Sequence, residues 1–112
     1  MPTRFTRRLA MALLALVAAG PAAAQPGFAD PSRGREIAES LCSTCHIVDA
    51  SPGNIAKSDI SSFFAIANRV EQSQERLAGA IIFPHPEMPT VSFTNKELRD
   101  VIAYIMSLRS EK

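Results

Sequence analysis

The run Cys42-Ser43-Thr44-Cys45-His46 constrains this chain more than any other stretch, because it holds both of its cysteines and one of its two histidines. A C-x-x-C-H run is the attachment signature of a c-type haem. If the run closes a helix, Cys42 and Cys45 share one face, and both thiols can add to the two vinyl groups of one porphyrin. His46 then reaches the iron from the same side, with its second ring nitrogen left to donate a hydrogen bond that fixes the imidazole. Three other uses of the run compete. A thioredoxin-like redox pair asks for a βαβ pattern, and no strand pattern is legible here. A structural zinc site wants four protein ligands, and only His46 and His85 could join the cysteines. A plain disulfide would suit an oxidising compartment. Haem attachment is the leading reading.

The first 24 residues read as a secretory signal peptide. Arg4, Arg7 and Arg8 make a positive start, Leu9 to Gly20 is an apolar run, and Ala22-Ala23-Ala24 offers a small-residue cleavage site before Gln25. The run is short of the roughly 20 apolar residues that span a bilayer; an uncleaved anchor is the alternative. Arg7-Arg8 is a twin arginine in a weak surrounding pattern, so the general secretory route is favoured. Cleavage leaves residues 25–112 as one domain, with nine Lys and Arg against eleven Asp and Glu, a net charge of about −2. No basic stripe of a nucleic-acid binder is present. A domain of this size has a small core, and a covalently held porphyrin would supply much of its apolar centre, so the apoprotein is expected to be largely unfolded.

Along that domain, a helix is expected from Asp30-Pro31-Ser32, with Asp30 or Ser32 as its cap and Pro31 in its first turn. It carries Ile37 and Leu41 into Cys42. Gly34 inside it points to a second helix backbone crossing close by. Residues 47–57 read as a loop, with Pro52 the candidate carbonyl for His46 Nδ1. Ser58 or Asp59 is expected to cap a short helix carrying Ile60, Phe63, Phe64, Ala67 and Val70, and Ser73 another with Leu77, Ala80, Ile81 and Phe83 lining the pocket. Three prolines in Pro84-His85-Pro86-Glu87-Met88-Pro89 forbid a helix there. Met88 is thus held in a stiff loop, where its thioether can approach the iron opposite His46. Thr94-x-x-Glu97 is a capping box with Phe93 and Leu98 as its hydrophobic staple. Val101, Ile102, Ile105 and Leu108 follow at helical spacing, with Tyr104 extending the face.

Cys42–His46, Met88 before Pro89, and the terminal Asp100-Val101-Ile102-Ala103-Tyr104-Ile105 resemble a small class I monohaem cytochrome c of the bacterial periplasm, over residues 30 to 110. The resemblance implies an all-α fold of about four helices around one covalently bound haem c, with the N- and C-terminal helices crossing at Gly34, Val101 and Tyr104. It implies His46 and Met88 as the iron ligands and Cys42 and Cys45 as the attachment points. Two departures stand out: Ala38 replaces an aromatic residue, and no Trp is present to hydrogen-bond a haem propionate.

A His/Met haem is six-coordinate, which makes a one-electron carrier rather than an enzyme. The expected protein is a monomeric periplasmic shuttle without a membrane span after cleavage. It would pass electrons from a dehydrogenase or quinol-oxidising complex to an oxidase or reductase through small, transient contacts. Alternatives are a dedicated subunit of one periplasmic enzyme, a weakly ligated or five-coordinate haem that binds a small gas or acts on peroxide, and His85 in place of Met88.

Overall fold

The computed structural model describes residues 27–51, 56, 57 and 59–111. The expected signal segment and Pro52 lie outside the described residues. Helix α1 (Pro31–Leu41) starts where the Asp30 carboxylate accepts the N–H groups of Ser32 (2.9 Å) and Arg33 (3.2 Å). This leaves Pro31 at a position whose missing N–H costs nothing. Of the two expected caps, Asp30 is the one used. The helix ends at Cys42, so the C-x-x-C-H run starts where the helix stops and winds on as turns.

Two short strands follow, β1 (Ala56–Lys57) and β2 (Ile60–Ser61), paired antiparallel. They correct the expectation of no strand: two residues each are too few for the alternation that betrays a strand in sequence. Helix α2 (Phe63–Ala67) is capped by Ser62, whose buried hydroxyl accepts the Ala65 N–H at 3.0 Å. The expected cap at Ser58 or Asp59 is therefore wrong. Asp59 sits in the left-handed region (φ 66°) of the hairpin turn, a conformation a helix cap does not adopt. Ile60 belongs to β2, and Val70 lies past the helix end with 83% of its surface exposed.

Helix α3 (Gln74–Ile82) is capped by Ser73, as expected, through the Arg76 N–H. Phe83 ends it and is 80% exposed, so it does not line a pocket. The proline-rich stretch after it is non-helical. Helix α4 (Asn95–Ser107) opens with the full capping box: Glu97 N–H donates to Thr94 Oγ1 (3.2 Å) and Thr94 N–H to Glu97 Oε2 (2.8 Å).

Helices α1 and α4 form the main contact of the fold, and α2 and α3 both pack on α4. At the crossing a Cβ on Gly34 would stand 1.9 Å from the Asp100 carbonyl oxygen. Only glycine lets the two backbones meet so closely. Ala38 and Val101 are buried beside it; an aliphatic side chain such as Val101 stabilises the fold by about 1.5–3 kcal/mol when fully buried. Asp100 is also buried, and its carboxylate accepts the Asp30 N–H (2.8 Å) and the Lys96 ammonium (2.7 Å). Burial would raise its pKa; the Lys96 and Asp30 hydrogen bonds and the charges of Lys96 and Arg33 outweigh that and hold it below the usual carboxylate range. Among the described residues no helix is long and apolar enough to cross a membrane. Among the described residues the fold is thus four helices and one minimal hairpin, all-α in class.

Candidate functional site

A cavity of about 760 Å³ opens between the end of α1, the hairpin, α2, α3 and the loop before α4. Cys42, Cys45 and His46 line it from α1's end, and Met88 and His85 line it from the proline-stiffened loop. Five residues singled out from the sequence, His85 among them as the alternative to Met88, thus face one space.

The run is shaped by continuing the helical turn. Cys42 N–H donates to Ala38 O (2.8 Å), and the N–H groups of Cys45 (3.2 Å) and His46 (2.9 Å) both donate to Cys42 O. Both cysteines are free thiols, which removes the disulfide reading. Burial pushes the Cys42 thiol above its ordinary pKa, whereas a C-x-x-C redox pair needs a depressed one. No cluster of three or more His, Cys, Asp or Glu side chains suited to a metal ion occurs among the described residues, which leaves structural zinc without support.

His46 is fixed from two sides. Its Nδ1 lies 2.8 Å from Ser61 O, and a carbonyl only accepts, so Nδ1 carries the proton and Nε2 keeps its lone pair. The ring also rests against Phe63 (centroids 5.4 Å apart), which in turn meets Tyr104 at 6.4 Å. The expected Pro52 lies outside the described residues; among them the carbonyl partner is therefore Ser61 on β2. The hairpin is what brings it there, and its two-residue strands left too weak a mark in the sequence to predict. Phe63 N–H donates to Ile47 O (2.9 Å), and the Tyr104 hydroxyl donates to Val48 O, so the segment after His46 is tied to both α2 and α4.

On the other segment, Met88 is half-buried, and its N–H donates to His85 O at 3.1 Å. Glu87 between them holds φ 79°, an uncommon conformation for a residue with a side chain. The exposed His85 ring donates from Nδ1 to Pro86 O (2.8 Å). Leu41, half-exposed, joins Ile60, Phe63, Ile66 and Leu77 on the apolar cavity wall, and Ala80 and Ile81 line it as expected.

The cavity fits a haem on its own chemistry. Its volume lies in the range of about 300–1,000 Å³ usual for bound cofactors, two free thiols sit on its wall, and an imidazole with a defined tautomer points a free nitrogen lone pair away from its carbonyl anchor. The charged residues of its lining, Asp59, Arg69, Arg76 and Glu87, come from its loops and helix ends. Arg69, at the end of α2, donates to the Ser61 hydroxyl at 3.1 Å. Neither Ser61 nor Arg69 was singled out from the sequence.

A cytochrome c family model matches residues 31–109. The chain is 40% identical over 81 residues to cytochrome c-552 of Bradyrhizobium diazoefficiens, an alignment covering 72% of this chain and 77% of that protein. No solved structure matches the chain. Taken with the crossing at Gly34 and the cavity around the C-x-x-C-H run, these matches establish that the chain belongs to the cytochrome c family, as a small monohaem member with covalent haem c that serves electron transfer.

Proposed function

We propose that the protein is a periplasmic one-electron carrier in which Cys42 and Cys45 would anchor the haem and His46 and Met88 would hold its iron. The observation that carries this reading is the shared cavity: one wall holds Cys42, Cys45 and His46, and a proline-stiffened loop holds Met88. When bound, haem c supplies a one-electron ferric/ferrous couple. Ser61 O holds the His46 ring by Nδ1–H and leaves Nε2 as the ligand atom. Such a partner fixes the tautomer and the orientation of a ligating imidazole. Met88 supplies a soft sulfur that favours the ferrous state, and the apolar wall excludes water; both raise the potential. With two protein ligands held in place, no position is left for a substrate, and the protein is a carrier and not an enzyme.

The reading extends to the whole chain. Residues 1–24 direct export and are then removed. Residues 25–112 meet dehydrogenases, quinol-oxidising complexes, oxidases or reductases through brief encounters of small area.

Exposure of the reduced holoprotein to carbon monoxide tests the site. The wild type should not bind it, and Met88→Ala should bind it readily, with a lower midpoint potential. Rapid binding by the wild type, or an unaltered Met88→Ala variant, removes Met88 as the ligand. Loss of the wild-type low-spin spectrum in His85→Ala instead would move the assignment to His85.

A further inference from the structure

We propose that Glu87 is a positioning residue for Met88: it is the one soft joint of the loop that carries Met88, and its left-handed backbone makes the hold of Met88 on the iron weaker than a glycine at 87 would. The inference rests on the reading of Met88 as an iron ligand. In the run 84–89, Pro84, Pro86 and Pro89 have φ fixed by their rings. His85 and Met88 each precede a proline, which restricts them to extended conformations. Glu87 is the residue of the six with neither restraint. Within the run, a rotation that withdraws Met88 from the cavity therefore turns on Glu87, which lines the cavity beside it.

That joint is held in a conformation that suits glycine. Met88 N–H donates to His85 O at 3.1 Å, and Glu87 has φ 79°. With Pro86 before it, this is a type II turn, whose third residue takes a positive φ and is commonly Gly or Asn. The Cβ of Glu crowds the following carbonyl oxygen there, and glycine has no Cβ to do so. No contact of the side chain offsets this: Glu87 is exposed and forms no ion pair among the described residues. A flip of the Pro86–Glu87 peptide would convert the turn to type I and give Glu87 a negative φ. It would also swing the Pro86 carbonyl away from the His85 ring, whose Nδ1–H donates to it at 2.8 Å. The strain is thus kept while the loop holds Met88 at the cavity wall, and it is released when Met88 leaves and the joint opens. A competing ligand for the iron gains by that amount, and with glycine at 87 the gain is gone.

The test is a titration of the ferric holoprotein with imidazole, a nitrogen ligand that competes with Met88, followed by the shift of the main haem absorption band. It compares wild type, Glu87→Gly, Glu87→Asn, Glu87→Ala, Glu87→Gln and Met88→Ala. Glu87 is exposed in a loop, so its variants leave the core intact. Glu87→Gly should bind imidazole about fivefold more weakly than wild type, which is ~1 kcal/mol at 1.4 kcal/mol per decade. Asn tolerates the left-handed region, so Glu87→Asn should fall between the two. Glu87→Ala and Glu87→Gln keep a Cβ in the same conformation and should stay close to wild type. A Glu87→Gly affinity equal to wild type overturns the proposal. So does an equal weakening in Glu87→Ala or Glu87→Gln, which would trace the effect to the carboxylate and not to the backbone. Met88→Ala reports separately on the reading beneath the proposal. With no sulfur to displace, it should bind imidazole far more tightly than wild type, and an affinity equal to wild type contradicts Met88 as the ligand whatever the Glu87 variants show.

Discussion

The two sides of α4 are built differently. On one side it crosses α1, and protein atoms alone close the contact: Gly34 against the Asp100 carbonyl, Ala38 and Val101 fully covered, and a buried carboxylate with two donors. On the other side α2, α3 and the proline-rich loop frame a cavity of about 760 Å³, with Leu41, Val70, Ile82 and Phe83 exposed around or beyond it. The first side is a helix pair that packs by itself. The second is a set of short segments that share a cofactor as their core. A small domain can afford so open a frame because the porphyrin supplies apolar area that the chain lacks.

Removing the cofactor's anchors should expose the contrast most strongly. The Cys42→Ser, Cys45→Ser double variant is expected to hold no haem on a denaturing gel stained for haem and to lose most of its helical circular dichroism. Covalent haem surviving in that variant would show attachment elsewhere. The crossing is tested next by Gly34→Val. No Cβ can stand 1.9 Å from a carbonyl oxygen, so the helices must separate. Denaturant unfolding of the holoprotein should show a loss of at least about 3 kcal/mol.

The crossing was also the more legible half in sequence. Gly34 marked the close approach, Asp30 (with Ser32 as its alternative) marked the start of α1, and Thr94 with Glu97 marked the start of α4, because each of these signals is local and acts through its own residues. The cavity side was legible in its chemistry and not in its scaffold. The C-x-x-C-H run and Met88 between prolines identified the lining, yet the carbonyl for His46 was expected at Pro52 and comes from Ser61. That choice depends on a hairpin of two-residue strands and on Asp59 turning left-handed. Ser62, not Ser58 or Asp59, caps α2 because that turn uses up the residues before it. Phe83 and Val70 were expected inside because they are apolar; both lie just past a helix end, where the chain turns them outward. Arg69 carries no sequence mark, since its place on the cavity wall arises only once α2 ends where it does.

Smaller effects sharpen the comparison. The folded pKa of Asp100 lies below its unfolded value of about 3.9. Its contribution is therefore full at neutral pH, fades as the pH falls past 3.9, and is gone below the folded pKa. Asp100→Asn should cost about 1–2 kcal/mol at pH 7 and flatten the acid limb, read from unfolding curves between pH 7 and 3. The haem spectrum should not change, because Asp100 belongs to the closed side. The smallest effect is at the cap of α4: Thr94→Ala removes the acceptor of Glu97 N–H and should cost about 1 kcal/mol, with no change in midpoint potential. A shift of potential in either variant would mean that the two sides are coupled through α4.

The central claim is that His46 and Met88 ligate one iron from two segments of the cavity wall. The absorption spectrum of the oxidised holoprotein, scanned into the red, tests it most directly. The weak charge-transfer band of a ferric iron–thioether bond should be present in the wild type and disappear in Met88→Ala. A wild-type spectrum without that band, or a band that persists in Met88→Ala, contradicts the assignment.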